Sequence, residues 1–371
     1  MNRRSFLKTA LLASGGAVAG PFVNRGAFRL FAQSDDSYST RVLDLVAEST
    51  VVDMLGLLTL DWQKLRTWQR QPDAFDIAEF RRLQRSGVHV FHPAVDPAAK
   101  EPHAEALRWA NDWSSLFRYY PRYFLRVDEA RDLERPKRES QIGILLGLQN
   151  SDHFRKTADV ATFHRLGQRV SQLTYSEGNA LGSGCQDTID EGLTDYGCAI
   201  VGEMNRVGMA VDVSHCSDRS SIEAMAVSKR PVLVTHSNCR ALVAHPRCKP
   251  DSVIKLLARH GGVMGITAVR AFVSGRNAAT LDDLLDHYEH VARIAGIEHV
   301  GIGSDCDLDP REPQSGQVRP AYAIRGLDHP RHVFDLAAGL LRRGFSDTDV
   351  SLVLGGNFRR ALIEVWQPAA A

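Results

Sequence analysis

The chain has 371 residues, of which 44% are hydrophobic and 24% are charged, and its 45 Lys and Arg against 44 Asp and Glu give a formal net charge of +1. This composition is that of a globular protein, and it excludes intrinsic disorder and low-complexity repeats. Because the charge is balanced and no basic run occurs, we expect no nucleic-acid partner. No apolar stretch reaches the roughly 20 residues of a membrane-spanning helix, so we expect no transmembrane span.

The N-terminus has the features of an export signal. Residues 1–8 read MNRRSFLK, and a weakly apolar run over residues 9–20 follows the paired arginines. This pattern is typical of twin-arginine signals, whose substrates are exported folded. It predicts a signal and lead over residues 1–32, one domain over residues 33–371, the export machinery as a partner, and a periplasmic or extracellular location. The alternative is a basic amphipathic helix, which the Gly and Ala content and the missing helical period disfavour.

Short apolar strands alternate with amphipathic helices along the rest of the chain. The predicted strands span residues 49–53, 88–92, 143–149, 169–175, 209–215, 232–236, 262–267 and 299–305. The predicted helices include residues 77–85, 104–117, 194–207, 219–226, 250–260, 281–295 and a final helix over 346–366. Several strands are continuous apolar runs, as in a parallel sheet that is covered on both faces. The alternation predicts an α/β fold of the (β/α)8 TIM-barrel type, with an open doubly wound sheet as the alternative.

Polar residues follow three of the predicted strands, where a barrel carries its active site. His215, His236 and Asp305 stand at the ends of the fifth, sixth and eighth strands. Two imidazoles and a carboxylate are ligands that suit Zn²⁺ or another divalent metal. The alternative is that each side chain binds loop backbone. Arg247, in the loop after the sixth strand, predicts a clamp for a substrate carboxylate, with a surface salt bridge as the alternative.

Longer motifs extend this pattern to a known family. They lie at residues 192–197, 203–209, 212–215, 231–238, 245–247, 261–266, 301–307 and 354–358. Over about residues 45–366, their order and spacing resemble the renal (membrane) dipeptidase family, peptidase family M19. The resemblance implies a metal-dependent barrel of the amidohydrolase type, in which two zinc ions share a bridging glutamate and hydrolyse dipeptides. Family relatives are often dimers, so a homodimer is an expectation by analogy.

The same resemblance assigns roles to four residues that match the family pattern. His215 and His236 would bind the second metal ion. Arg247 would bind the terminal carboxylate of the substrate, and Asp305 would act on the attacking water beside the first ion.

Other positions depart from the family pattern. The family's first strand ends in Asp-Gly-His-x-Asp, whereas residues 53–57 read DMLGL, so that Leu55 and Leu57 stand where two ligands belong. Leucine cannot coordinate a metal ion. Gln149 replaces the bridging glutamate, and Tyr175 replaces a histidine that faces the substrate. These changes predict one ion rather than two.

His92 and His153 are the weaker candidates for replacing the lost ligands, because each lies near the end of a predicted strand. Cys216 and Cys306 are weaker still, since adjacent strand residues point to opposite faces.

Three functional hypotheses follow. The first is an exported hydrolase of dipeptides or related small amides, in which Asp305, Tyr175 and Gln149 act on the substrate beside one divalent ion. The second is a different enzyme on the same scaffold, acting in periplasmic maturation of peptide natural products. The third is a binding protein without catalysis. The barrel alone does not decide among them.

Overall fold

The computed structural model describes residues 27–28, 38–97, 100–276, 279–309, 324, 327 and 329–367. The predicted signal and lead, residues 1–32, lies outside the described residues, except for the strand Ala27–Phe28, which pairs antiparallel with Tyr38–Ser39. The chain divides into two compact units, Met1–Asp44 and Leu45–Ala371.

The larger unit is built around one parallel sheet. Its ten strands, numbered in chain order, are β1 Val52–Asp53, β2 Val90–Phe91, β3 Phe124–Arg126, β4 Ile142–Ile144, β5 Gly147–Leu148, β6 Val170–Gln172, β7 Ala210–Asp212, β8 Leu233–Ser237, β9 Val263–Ile266 and β10 Val300–Ile302. Their spatial order is β3-β4-β2-β1-β10-β9-β8-β7-β6-β5. The short pair Gly56–Leu57 and Cys306–Asp307 forms a separate parallel ladder.

The sheet closes into a barrel because β4 and β5 are two pieces of one strand. The first piece pairs with β2 and the second with β6, so that the ring of pairings is complete. The predicted eight-stranded barrel is therefore confirmed. β3, which pairs with β4, is not among the predicted strands.

Helices connect the strands. They span Thr40–Glu48, Trp62–Arg70, Ile77–Arg85, Pro102–Tyr119, Arg135–Glu139, Ala158–Arg165, Asp195–Val207, Asp218–Val227, Asp251–Arg259, Arg270–Val273, Leu281–Ala295, His332–Arg342, Asp347–Ser351 and Asn357–Trp366, with a π-helical turn at Leu352–Gly356 and 3₁₀ turns at Ala130–Leu133 and Ile297–His299. Ser217 begins the helix after β7, since its hydroxyl accepts the Ser220 N–H at 3.1 Å.

The predicted final helix over residues 346–366 is wrong as one continuous helix. Gly355 has non-helical backbone angles inside the π-helical turn. A Cβ at Gly355 would lie 2.1 Å from the Thr50 carbonyl oxygen, so the chain passes too close to the neighbouring backbone for a side chain. The helix therefore divides where the sequence has Gly355 and Gly356.

Apolar residues close the end of the barrel at which the strands begin. Val52, Val90, Val170, Ala210, Leu233 and Val263 are the first residues of their strands and belong to one buried cluster. Phe358 and Leu362 of the C-terminal helix pack into the same cluster. Burial at this end stabilises the barrel and leaves polar chemistry to the opposite mouth. Among the residues described, no helix is long and apolar enough to cross a bilayer.

Candidate functional site

The two predicted histidine ligands meet at the mouth of the barrel. His236 lies within β8 and His215 follows β7 by three residues. Their Nε2 atoms are 3.1 Å apart, and the side chains are only 2% and 8% exposed. The distance between two nitrogen ligands on one zinc ion is about 3.3 Å, given Zn–N bonds of about 2.0–2.1 Å and tetrahedral geometry. The pair is thus already close to the spacing of two ligands of one ion.

Hydroxyl groups hold the other nitrogen of each imidazole. His215 Nδ1 lies 3.1 Å from Ser176 Oγ, and His236 Nδ1 lies 2.8 Å from Thr235 Oγ1. The Thr235 hydroxyl in turn donates to the buried Asp212 carboxylate at 2.7 Å. Partners of this kind orient the imidazole of a metal site.

Burial and nearby cations keep both imidazoles neutral. Burial holds the pKa of His215 and of His236 well below the usual range, and the positive charges of Arg247 and Lys249 lower both further. A neutral imidazole has a lone pair for a metal ion at neutral pH. The positive charges of Arg247 and Lys249 repel a divalent cation at the histidine pair. The site therefore favours a bound molecule that carries negative charge.

Arg247 is part of the framework of the mouth. It is 2% exposed, and its two Nη atoms donate at 2.6 Å to the carbonyl oxygens of Ser214 and His236. The surface salt bridge considered as the alternative is therefore wrong. Its Nε is buried and has no hydrogen-bond partner among the residues that the structure describes. The guanidinium also lies over the Phe272 ring, 5.8 Å from the centroid.

Lys249 is buried below the imidazoles and lies outside every sequence prediction. Its Nζ donates to the Cys216 carbonyl oxygen at 2.7 Å and to Ser221 Oγ at 3.0 Å. Burial lowers the pKa of Lys249 to about 8. The hydrogen bond from Lys249 to the Cys216 carbonyl oxygen fixes the backbone that follows His215.

Tyr175 connects the histidine pair with a cavity. Its ring stacks on His215 with centroids 4.3 Å apart and an interplanar angle of 17°. Burial raises the pKa of Tyr175, and the charges of Asp305 and Asp96 raise it further, so the phenol keeps its proton at neutral pH. The cavity of about 560 Å³ beside it is lined by Asp96, Pro97, Pro102, Asn150, Asp152, Tyr175, Ser176, Glu177, Gly178, Asn179 and Gln186.

Asp305 lies at the mouth but does not complete a ligand set with the pair. It follows β10 with φ of 56°, and its N–H donates to the Leu55 carbonyl oxygen at 2.8 Å. A positive φ is uncommon outside glycine, although Asp tolerates it, and such residues cluster at functional sites. In the part of the chain that the structure describes, no group of three His, Cys, Asp or Glu side chains is placed to hold a metal ion. The predicted trio of His215, His236 and Asp305 is therefore not assembled.

The Gln149 amide is engaged by backbone. Its Nε2 donates to the Ala94 carbonyl oxygen at 2.9 Å, and the main-chain carbonyl oxygen of Gln149 accepts from Gln172 Nε2. The side chain is half-buried and held against the segment at Ala94.

The two weaker ligand candidates, His92 and His153, are buried and hydrogen-bonded to backbone. His92 Nδ1 contacts the Leu145 carbonyl oxygen at 2.8 Å, and a Cβ at Gly147 would lie 2.0 Å from His92 Cε1. Both nitrogens of His153 have partners at 3.1 Å, the Asn150 carbonyl oxygen and Gln168 Oε1. Coordination by His153 would thus need at least one of these hydrogen bonds to break.

The opposite side of the mouth is apolar. Leu55 and Leu57 are buried where the family places two ligands. The Asp53 carboxylate below them accepts from the N–H groups of Leu55 and Ser304 and from the Ser304 hydroxyl. Its Oδ2 also lies 3.6 Å from His332 Nε2. Burial raises the pKa of Asp53, but His332 and Ser304 outweigh it and hold the pKa below the usual value.

Asp212 and Thr235 lie within the sequence motifs, but the motifs indicate no role for them. Ser176 is not among the predicted site residues. The available signal was a carboxylate and a hydroxyl inside otherwise apolar strands, β7 and β8. A buried polar side chain needs a partner, so each position called for an explanation.

Two glycines let neighbouring strands approach Thr235. A Cβ at Gly265 would lie 2.0 Å from the Thr235 carbonyl oxygen, and a Cβ at Gly303 would lie 1.9 Å from it. Both contacts are with backbone, so a side chain at either position would displace β8.

Comparisons with known proteins agree with this fold. The family model of the membrane dipeptidases (peptidase family M19) matches residues 39–371. Dipeptidase verJ of Clonostachys rogersoniana is 36% identical over 231 residues, which are 62% of this chain and 56% of that protein. Dipeptidase tcpJ of Claviceps purpurea is 32% identical over 247 residues, 66% of this chain and 56% of that protein. The matched region thus spans little more than half the length of either relative.

A solved structure gives the same result over a larger share. An amidohydrolase from Pseudomonas aeruginosa superposes with a TM-score of 0.73 and 28% identity, covering 88% of this chain and 99% of that one. The match of the family model over most of the chain, together with the barrel, shows that the chain belongs to the membrane dipeptidase family, peptidase family M19.

Proposed function

We propose that this protein hydrolyses dipeptides or related small amides with one divalent ion, zinc or a similar metal, bound by His215 and His236. The observation that carries the proposal is the convergence of two neutral imidazole Nε2 atoms at 3.1 Å, each ring held at Nδ1 by a hydroxyl. A bound divalent ion supplies a Lewis acid that polarises a carbonyl and lowers the pKa of a bound water.

The residues present fit one ion and do not fit two. His215 and His236 offer two nitrogen ligands, one fewer than the three protein ligands usual at a catalytic zinc ion, so water and substrate groups would take the other positions. On the other side of the mouth, Leu55 and Leu57 offer no donor, and the Gln149 amide is neutral and bound to backbone. A bridging position between two dications requires a negative charge that Gln149 lacks.

The cavity beside Tyr175 is where we place the substrate. Carboxylates of Asp96, Asp152 and Glu177 line it, which favours a substrate that carries a free ammonium group. The positive charge of Arg247, which acts on Tyr175, favours a substrate carboxylate on this side of the cavity. Asp305, whose charge acts on Tyr175, would accept a proton from the attacking water, and the Tyr175 phenol would donate a hydrogen bond to the substrate.

We also propose that the protein leaves the cytoplasm folded, by the twin-arginine route. The paired arginines Arg3 and Arg4 support this proposal. Replacing both with lysine should retain the full-length protein in the cytoplasm, and cell fractionation of a bacterial host would measure the change. Unaltered export of the double variant would contradict the proposal.

The central test is the metal content of protein purified after native export. We expect close to one equivalent of metal, and hydrolysis of dipeptides from a panel with L- and D-residues at the C-terminal position. His215→Ala and His236→Ala should each lose most of the metal and the activity. His299→Ala is the matched control, because His299 precedes β10 at the opposite end of the barrel.

Two outcomes would count against the proposal. Less than a tenth of an equivalent of metal, with no response to added metal, would contradict the metal site. Full metal occupancy with no turnover of any dipeptide would contradict the substrate and favour a different reaction on the same scaffold.

A further inference from the structure

We infer that Asp212 and Thr235 are positioning residues that fix the proton of His236 on Nδ1 and thereby keep a lone pair on its Nε2. The inference deepens the proposed function, on which its consequence for metal binding rests. The tautomer itself is a property of the metal-free chain and can be measured separately.

The Asp212 carboxylate is surrounded by hydrogen-bond donors. Its Oδ1 accepts from the Ser214 N–H at 2.9 Å, the Thr235 N–H at 3.0 Å and the Ser214 hydroxyl. Its Oδ2 lies 2.7 Å from Thr235 Oγ1, and because a carboxylate can only accept, the single hydrogen of the Thr235 hydroxyl points at Asp212. Thr235 Oγ1 also lies 3.1 Å from Ser214 Oγ, whose own hydrogen is donated to Asp212.

The direction of that bond determines the next one. Thr235 Oγ1 lies 2.8 Å from His236 Nδ1 and has no second hydrogen to donate. His236 must therefore donate through Nδ1–H, and the Thr235 oxygen accepts. A neutral imidazole carries one proton, so His236 Nε2 bears a lone pair. Asp212 thus sets the tautomer of His236 through one intervening hydroxyl, which is the arrangement expected behind a metal-binding imidazole.

The partner imidazole is held less firmly. With a lone pair on His236 Nε2, the 3.1 Å contact is a hydrogen bond only if His215 donates through Nε2–H. His215 Nδ1 then accepts from the Ser176 hydroxyl at 3.1 Å. Ser176 can also accept, because a hydroxyl rotates to suit its neighbour. His215 can therefore move its proton to Nδ1 and present Nε2, whereas His236 presents Nε2 permanently.

This asymmetry gives the two histidines different roles. His236 is the preset ligand, and His215 becomes a ligand only after its tautomer changes together with the Ser176 hydroxyl. Removing the Thr235 hydroxyl that contacts His236 should therefore weaken metal binding more than removing the Ser176 hydroxyl that contacts His215.

Asp212→Asn provides the sharpest test because it reverses the hydrogen-bond chain without changing size. The two backbone N–H groups at Oδ1 require the amide oxygen there, so the NH₂ group must take the Oδ2 position and donate to Thr235. The Thr235 hydroxyl would then donate to His236 Nδ1, and the proton of His236 would move to Nε2. We expect ¹⁵N spectra of histidine-labelled, metal-free protein to show this exchange of tautomers, and Zn²⁺ affinity to fall about 10- to 100-fold.

Threonine variants separate the hydroxyl from the packing. Thr235→Val keeps the shape but removes the link, so we expect mixed tautomers at His236 and a similar loss of Zn²⁺ affinity. Thr235→Ser keeps the hydroxyl and should restore both. Ser176→Ala should change the affinity less than Thr235→Val does. Asp132→Asn is the control, since Asp132 is a buried carboxylate that accepts backbone N–H groups of Asp128 and Glu129 away from the mouth.

The outcomes distinguish the inference from the proposed function. A metal-free wild type with the His236 proton on Nε2, or an Asp212→Asn variant with an unchanged tautomer, would overturn the inference. Thermal unfolding of each variant, compared with Asp132→Asn, shows whether it is folded; if Asp212→Asn does not fold, the wild-type and Thr235→Ser spectra still decide the tautomer. The expected tautomer in a wild type that binds no Zn²⁺ would overturn the proposed function and the effect on metal binding, and would leave the tautomer assignment standing.

Discussion

Each half of the barrel mouth has a buried aspartate that accepts the N–H and the hydroxyl of a serine or threonine. The groups beyond that aspartate differ between the two halves. At the end of β1, Asp53 accepts the N–H and the hydroxyl of Ser304. At the end of β7, Asp212 accepts the N–H and the hydroxyl of Thr235. On the Asp212 side the hydroxyl also contacts the buried His236 imidazole, whereas on the Asp53 side the carboxylate accepts the N–H of the buried Leu55.

The difference shows that a buried carboxylate can be retained where the metal ligand that it would orient is absent. The Asp53 side keeps its carboxylate, which accepts hydrogen bonds from Leu55 and Ser304, and His332 Nε2 lies 3.6 Å away, so the buried carboxylate is accommodated within the protein. The Asp53 carboxylate is thus part of the packing of the barrel. The comparison predicts that mutations on the two sides will affect different properties, stability on one side and metal binding on the other.

The largest effect should come from Leu55→Ala. Leu55 is fully buried, so the cavity left behind should lower the free energy of unfolding by about 2–5 kcal/mol. Because the leucine side has no part in the histidine pair, Zn²⁺ affinity of the folded variant should not change. Chemical denaturation and zinc titration measure the two properties. Leu107→Ala, at a side chain that is 40% exposed, is the control, and a loss of zinc binding in Leu55→Ala would break the comparison.

Arg247→Lys should have the next largest effect. Lysine cannot reach the carbonyl oxygens of both Ser214 and His236 as the guanidinium does, so a buried acceptor is left unpaired at a cost of about 1–3 kcal/mol. We expect lower stability together with a higher KM for substrates that bear a carboxylate. If only KM changes and the unfolding curve matches wild type, Arg247 acts on the substrate alone and the framework role is wrong.

Acid should destabilise the protein through its buried imidazoles. Burial lowers the pKa of His153 to about 3, well below the usual histidine value of about 6.5. Below pH 6.5 the unfolded chain takes up a proton that folded His153 does not, so stability is lost as pH falls, by about 1.4 kcal/mol per pH unit for this residue. Denaturation curves from pH 7 to pH 4 measure the slope. His153→Phe should reduce the slope by the contribution of one proton, about 1.4 kcal/mol per pH unit. An unchanged slope would contradict the burial of a neutral His153.

The smallest effect is expected for Gln149→Glu. The substitution restores a carboxylate at the position where the family has its bridging glutamate, but Leu55 and Leu57 still leave a second ion without ligands. Metal analysis should therefore find the same stoichiometry as in wild type. Two ions per chain in this variant would show that the leucine side can be rebuilt by a single charge.

The sequence was sufficient for the barrel and for the meeting of His215 with His236. Strands buried on both faces are recognisable as apolar runs, and the ends of parallel strands meet at one mouth. Other features depend on contacts between distant segments. The burial of Arg247 follows from the conformation of a long loop, and the division of the last helix follows from the approach of Thr50 to Gly355.

The third ligand illustrates the same limit. A carboxylate at the end of β10 predicted that Asp305 would join the histidines, but its backbone turns through a left-handed conformation and pairs with Leu55. The role of Asp212 was hidden for a related reason, since the direction of a hydrogen bond depends on every donor around the acceptor.

The close approach of Gly303 to Thr235 extends the proposed metal site beyond the residues that could touch a ligand. A methyl group at Gly303 would collide with the Thr235 carbonyl oxygen and push that residue out of register with Asp212. The proton position that we infer for His236 therefore depends on the missing side chain of Gly303, and we expect Gly303→Ala to lower zinc affinity although both proposed ligands are unchanged.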